Sequence, residues 1–290
     1  PPPAPAAPVQ DGKPSGVGPG APADTPPRVP LAAPASPIKP SPLGARRPQA
    51  RGVAQAERAT FEVRSYRTPD GAVLPYRLFM PDGYDPKRKY PLILVLHGAS
   101  SRGHDNQQQL SDSDGPRYWA SAQVQTLQQA FVVAPQADPQ YSPTWVRAWR
   151  PPVKQDPKRP EPLELSVDLI EDLSKEFSID RSRLYVVGYS MGGFGAWLVA
   201  SRHPDLFAAV VPIAGGGDPS YIVGTSAEIW AFHGTTDKVV PVRRSRQMVA
   251  ALKKAGKDVK YTEYPGVNHK IWRLVYQEAE LPVWLFKQSR

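Results

Sequence analysis

From Thr60 onward, two kinds of hydrophobic pattern take turns along the chain. Short runs rich in Val, Ile, Tyr and Phe read as strands. "TFEVRSY" and "LPYRLFM" form an opening pair, and "YPLILVLHG", "AFVVAPQ", "RLYVVGYS", "FAAVVPIAG", "EIWAFHG" and "VKYTEYP" follow. The later runs are almost continuously apolar, which predicts a sheet covered on both faces. Between them the apolar spacing becomes helical: Leu163, Val167, Ile170, Leu173 and Phe177 fall at steps of four, three, three and four, one stripe along a helix. Repeated strand-then-helix order predicts an α/β fold with a mostly parallel central sheet, helices on both faces and right-handed crossovers. Chemistry in such a sheet sits at the carboxyl ends of the strands.

The beginning of the chain breaks this rhythm. Of the 36 prolines, 16 fall within the first fifty positions, in stretches such as "PPPAPAAPVQ" and "LAAPASPIKP". Such a composition buries too little apolar surface to offset its ordering entropy. Residues 1–56 therefore read as a disordered, partly polyproline-like tether, and residues 57–290 as one folded domain.

Charge changes the picture little. The formal net charge is +9, but the basic residues are scattered and no nucleic-acid reading motif accompanies them, so they read as solvated surface and no nucleic acid is expected as partner. The chain contains no cysteine, which excludes disulfides, thiolate metal sites and a cysteine nucleophile. No run approaches the roughly 18 apolar residues of a membrane span, and no metal or cofactor is implied. The chain opens on Pro1 and runs straight into the Pro/Ala tether, as expected if an export signal had been removed; a secreted or periplasmic location follows from that reading.

One short motif carries the chemistry. In "VVGYSMGGFG", Ser190 stands between Gly188 and Gly192, where a buried strand turns into the helix beginning "MGGFGAWLVASRHP". A strand turning that sharply strains the backbone of the apex residue and brings its neighbours close, so the positions two before and two after must be very small. The five letters alone are a modest signal, and an inert serine in a glycine-rich turn is the bland alternative; the strand-turn-helix context makes Ser190 a candidate nucleophile. A serine hydroxyl needs a base, and the base needs an orienting acid. Of the five histidines, His97 and His233 each close a strand, in "VLHG" and "AFHG", where an imidazole commonly satisfies loop backbone. His203 sits at a helix end and suits the dipole there. His104 lies in a polar loop. His269, in "YPGVNHKIW" after the last strand, is the best candidate base. With the chain order Ser, Asp, His, the acid falls between them. Asp237, in "FHGTTDKVVPV", lies in a short loop just past a strand end, with Asp218 as the runner-up. Backbone N–H groups for a developing oxyanion are expected from Met191, next after the nucleophile, and from Ala99 in the loop after "PLILVLHG", with Ser100 as an alternative. The segment "QYSPTWVRAWRPPVKQDPKRPEPLEL" is long for a plain connection and reads as a cap over the cleft, with Trp145 and Trp149 either lining a pocket or anchoring the loop.

These motifs together resemble the α/β-hydrolase superfamily over residues 60 to 290. Within it the chain is similar to bacterial secreted esterases grouped as predicted peptidases, near the feruloyl esterases and polyhydroxybutyrate depolymerases. "LHGASSRGHDNQQQL" looks like that group's oxyanion loop, "GYSMGGFGAW" its elbow, "HGTTDKVVPV" its acid loop and "NHKIWRLVYQEAELPVWLFKQ" its histidine and closing helix. The resemblance implies Ser190, Asp237 and His269 as a triad, with Ala99 and Met191 as oxyanion donors. At Ser100 and Ser101 the group more often shows Gly and Glu, so the resemblance does not extend to substrate preference. The expected activity is hydrolysis of short-chain or aryl esters, of feruloyl or acetyl type, on small molecules or a polymer. A peptidase of the prolyl-oligopeptidase kind would share the same three residues, and a catalytically inactive tethered binding module is the alternative from another class.

Overall fold

The computed structural model describes residues 60–111, 113–138, 145 and 161–290. The tether expected over residues 1–56, most of the expected cap and Trp149 lie outside the described residues. The strands are β1 (Glu62–Arg67), β2 (Val73–Phe79), β3 (Tyr90–Leu96), β4 (Phe131–Pro135), β5 (Ile179–Tyr189), β6 (Ala209–Ile213), β7 (Glu228–Gly234) and β8 (Lys260–Tyr264). The α-helices are α1 (Gly115–Trp119), α2 (Ala122–Leu127), α3 (Pro162–Glu176), α4 (Met191–Arg202), α5 (Pro219–Ile222), α6 (Arg243–Lys254), α7 (Trp272–Val275) and α8 (Glu280–Phe286). All the described strands join one sheet in the order β1-β2-β4-β3-β5-β6-β7-β8. Only β1 and β2 run antiparallel to their neighbours; from β4 to β8 every pairing is parallel. This is the mostly parallel sheet that the strand-helix rhythm predicts and the α/β-hydrolase fold that the resemblance implies.

The continuous apolar runs are explained by two cores, one on each face. Every residue of "YPLILVL" in β3 is buried. Because side chains alternate along a strand, Leu92, Leu94 and Leu96 enter one core while Ile93 and Val95 enter the other. On the first face α3, α4 and α6 supply Leu169, Leu173, Trp197, Val199, Met248 and Leu252. On the second, the segments around α1, α2, α7 and α8 supply Trp119, Val124, Val275, Leu281 and Leu285. The α3 stripe is wider than its spacing predicts, since Leu165, Ser166 and Leu169 are buried as well. The edge strand β1 is mostly exposed, and Arg64 there pairs with Glu62 and Glu176, a charged edge that discourages strand addition.

Sheet order decides where the site can form. After β3 the chain crosses the second face and enters β4 on one side, whereas after β5 it crosses the first face through α4 and enters β6 on the other. Neighbouring strands whose continuations diverge open a crevice at their carboxyl ends. Leu96 and Gly188 lie side by side at that point, so the loops carrying Ala99 and Ser190 face each other across it. No helix among the described residues is long and apolar enough to cross a membrane.

Candidate active site

Ser190 occupies the apex between β5 and α4 with φ 54° and ψ −113°, a region costly for a residue with a Cβ. Its N–H donates to the Ile213 carbonyl at 2.8 Å, and its carbonyl accepts from Phe194 N–H at 3.0 Å, so the strained peptide is tied to β6 on one side and to the first turn of α4 on the other. The glycines are required by contact. A methyl group on Gly192 would sit 2.0 Å from the Leu96 carbonyl oxygen, and one on Gly188 would sit 2.0 Å from the Gly192 carbonyl oxygen. Met191 is the first residue of α4, so its N–H has no acceptor within the helix and points, with the helix dipole, toward the crevice end.

The second and third groups come from the far half of the sheet. His269 Nε2 is 2.8 Å from Ser190 Oγ, and His269 Nδ1 is 2.6 Å from Asp237 Oδ2. A carboxylate only accepts, so Nδ1 carries the ring proton and Nε2 is left to accept from the serine. Asp237 is buried. Its Oδ1 accepts the N–H groups of Val239 and Val240, each at 2.8 Å, so its own loop holds the carboxylate through the oxygen that His269 does not use. Gly234 explains how the two loops meet: a Cβ there would lie 2.4 Å from the Val267 carbonyl oxygen and 2.5 Å from that of Asn268. Thr236 N–H donates to Val267 O at 3.1 Å and Gly266 N–H to Thr235 Oγ1 at 2.9 Å, stitching the acid loop to the histidine loop. Tyr189 packs its ring 5.3 Å from that of His269, between it and Trp272.

Ala99 begins a short 3-10 turn, Ala99–Ser101, just past β3. The loop is braced from below by Gln136, which is fully buried. Its amide nitrogen donates to Ser101 O at 3.0 Å and Asp105 Oδ1 at 2.8 Å, and its amide oxygen accepts from Asn106 N–H at 2.7 Å. His97 adds a second brace. Its Nε2 accepts from Ala137 N–H at 3.0 Å, which leaves the proton on Nδ1, 2.6 Å from Gly98 O.

The segment from Val73 to Asp258 matches a family model described as "Putative esterase", 186 of 290 residues. The chain belongs to this esterase family. The match contains Ser190 and Asp237 and ends before His269. A solved structure of a thermostable esterase is 40% identical to this chain with a TM-score of 0.72, covering 79% of this chain and 63% of the other. Poly(3-hydroxyalkanoate) depolymerase C of Paucimonas lemoignei is 29% identical over 126 residues, 43% of this chain and 28% of that protein. Feruloyl esterase C of Emericella nidulans is 23% identical over 175 residues, 58% of this chain and 56% of the relative. The chain thus spans less than two thirds of the length of each.

Other residues singled out in the sequence lie elsewhere in the fold. Asp218 caps α5, its Oδ1 accepting from Ser220 N–H at 3.0 Å and Ser220 Oγ–H at 2.6 Å. His203 ends α4 and pairs with Glu164 on α3 at 2.8 Å. His104 is exposed, 3.8 Å from Asp138. Trp145 is fully buried and donates from Nε1 to the His97 carbonyl at 3.0 Å, which makes it a loop anchor. Ser100 is exposed and Ser101 is buried, with its hydroxyl on Gln108 O at 3.1 Å. One contact escapes the sequence reading. His233, a strand-closing residue by its position, lies with Nε2 3.2 Å from Asp237 Oδ2, the oxygen that also holds His269. The only sequence signal was its place four residues before the acid in "HGTTD".

Proposed function

We propose that the chain is a serine carboxylic-ester hydrolase in which Ser190, His269 and Asp237 act as a triad. The observation that carries the reading is the unbroken hydrogen-bonded line from Ser190 Oγ through both nitrogens of His269 to Asp237. As Ser190 Oγ attacks the ester carbonyl carbon, its proton passes to His269 Nε2, and Asp237 stabilises the imidazolium. The carbonyl oxygen, now negative, is received by the N–H groups of Met191 and Ala99. Collapse breaks the bond to the alcohol, which leaves with the proton from His269. Water then repeats the sequence on the acyl-enzyme and releases the acid and free Ser190.

The substrate class we favour is a short-chain or aryl ester, of feruloyl or acetyl type, on a small molecule or a polymer. Membership of the esterase family and the likeness to a feruloyl esterase and a polyester depolymerase support that choice. An exported enzyme fits it, since a polymer must be met where it lies and a Pro/Ala-rich stretch has the composition of a spacer.

Labelling with a fluorophosphonate tests the nucleophile. Wild type should be modified once, at Ser190, and Ser190→Ala not at all, with kcat on p-nitrophenyl acetate reduced about 10⁴- to 10⁶-fold and an unchanged melting temperature. Equal labelling of both proteins, or a variant retaining most of the esterase rate, would place the chemistry elsewhere. Methyl ferulate, p-nitrophenyl esters of rising chain length and a peptidyl anilide, run side by side, separate the ester reading from peptidase action.

A further inference from the structure

His233 is the one buried imidazole in contact with the proposed acid that the mechanism above does not use. It has no exposed surface, and each ring nitrogen meets specific partners. Nε2 lies 2.8 Å from the Val240 carbonyl and 3.2 Å from Asp237 Oδ2. Both partners only accept, so Nε2 carries a proton shared between them. Nδ1 lies 2.7 Å from Ser245 Oγ, on the second position after the start of α6, and that hydroxyl is also 3.1 Å from the Gly215 carbonyl. Two proton arrangements satisfy these distances. A neutral ring accepts the single Ser245 proton on Nδ1; a charged ring donates to Ser245 Oγ, which then donates to Gly215. Burial lowers the basicity of His233 and favours the neutral ring.

The charged or titratable groups facing it are Asp237 in its own loop, His269 beyond that carboxylate, and Glu263, its register partner on β8. Glu263 is already held by two hydrogen bonds from Arg246, both at 2.7 Å. Asp237 is therefore the carboxylate His233 serves. The loop N–H groups of Val239 and Val240 fix Oδ1 alone, which leaves Oδ2 free to swing about that anchor. A donor on Oδ2 from a second direction removes that freedom.

We propose that His233, with Ser245 Oγ on its far nitrogen, is a positioning residue: its Nε2–H fixes the Asp237 oxygen that orients His269. The idea rests on the triad reading above. It assigns a role in turnover to a strand residue that touches no substrate. A neutral donor at the base of the acid loop steadies the carboxylate without pairing with it as a cation and drawing it away from His269.

The test compares His233→Gln, whose amide nitrogen reaches the Nε2 position, with His233→Leu and Ser245→Ala in the full chain. Fluorophosphonate titration of wild type comes first; if Ser190 is not labelled there, the triad reading fails and the positioning role of His233 falls with it. With labelling intact, His233→Leu should lose about 10- to 100-fold in kcat, by analogy with the range seen when the outer hydrogen-bond partners of metal ligands are removed, with KM within about twofold. The acid limb of its kcat/KM profile should move to higher pH, because Asp237 loses a donor that spreads its negative charge. The low-field proton resonance of the Asp237–His269 hydrogen bond should move as well. His233→Gln should restore most of kcat, and Ser245→Ala should show a smaller shift in the same direction. A folded His233→Leu protein with wild-type kcat and an unmoved acid limb overturns the proposal, as do equal losses in the Gln and Leu variants. If the Leu variant does not fold, Ser245→Ala and His233→Gln decide: an unmoved acid limb and resonance in Ser245→Ala refute the arrangement.

Discussion

Replacing Asp237 by asparagine tests the triad more sharply than deleting it, because the surrounding donors dictate how the amide must sit. Oδ1 accepts two backbone N–H groups, from Val239 and Val240, each at 2.8 Å. Only the amide oxygen can take that place, so the NH2 group is forced into the position of Oδ2, facing His269 Nδ1 at 2.6 Å in the native structure. A donor there requires Nδ1 to accept, which moves the ring proton to Nε2. The nitrogen 2.8 Å from Ser190 Oγ then carries a hydrogen and cannot take the serine proton. The NH2 also meets the proton on His233 Nε2, leaving that proton to the Val240 carbonyl alone. The same exchange in a serine protease of this constellation costs about 10⁴ in kcat, or about 5.5 kcal/mol of transition-state stabilisation. We expect a loss of that order here. Hydrolysis of p-nitrophenyl acetate gives kcat and KM, and thermal unfolding shows whether the fold survives. A folded Asp237→Asn protein within tenfold of wild-type kcat would refute the assignment, most clearly if Asp218→Asn collapsed instead.

Two further predictions follow from packing and titration. Gly192→Ala drives a methyl group to 2.0 Å from a backbone oxygen that cannot move aside; we expect a cost of about 3 kcal/mol and a melting temperature lower by roughly 6–12 °C. Gly224→Ala, with nothing within 4 Å of the new carbon, should stay within about 0.5 kcal/mol, and equal behaviour of the two variants would refute the close-contact argument. Burial pushes the Glu164 carboxyl up, but hydrogen bonds from His203 and Arg202 outweigh it and hold it below its ordinary value of 4.5. A depressed folded value stabilises fully above about pH 4.5 and ceases to do so as pH falls through that folded value. Glu164→Gln should therefore be less stable than wild type near neutrality by about 1–3 kcal/mol, with the difference in melting temperature shrinking on acidification. A constant difference from pH 7 down to about 3 would contradict the linkage.

What the sequence determined by itself is what adjacent residues determine for each other. The sign of φ at an apex, the room two positions on either side of it and the alternation of apolar side chains are local properties. The elbow at Ser190 and the eight strand runs could therefore be read directly, and the two-faced burial of "YPLILVL" followed from its lack of polar alternation. Tertiary structure decided what depends on distance through space between residues far apart in the chain. Asp237 meets His269 across 32 positions and Ser190 meets it across 79; the sequence favours Asp237 for its short loop past a strand end and keeps Asp218 as the runner-up, because neither position carries the distance to His269. The sheet order sets β7 beside β8 and allows Gly234 to touch the histidine loop, which brings Asp237 against His269. Trp145 shows the same limit: an aromatic residue in a long loop can line a pocket or anchor the loop, and only the burial of its ring against His97 separates the two. His233 belongs with it, since a strand-closing imidazole looks alike in "VLHG" and "AFHG". In the fold the first braces a loop through Ala137, and the second stands against the carboxylate of Asp237, because the chain after β7 turns back over its own strand end.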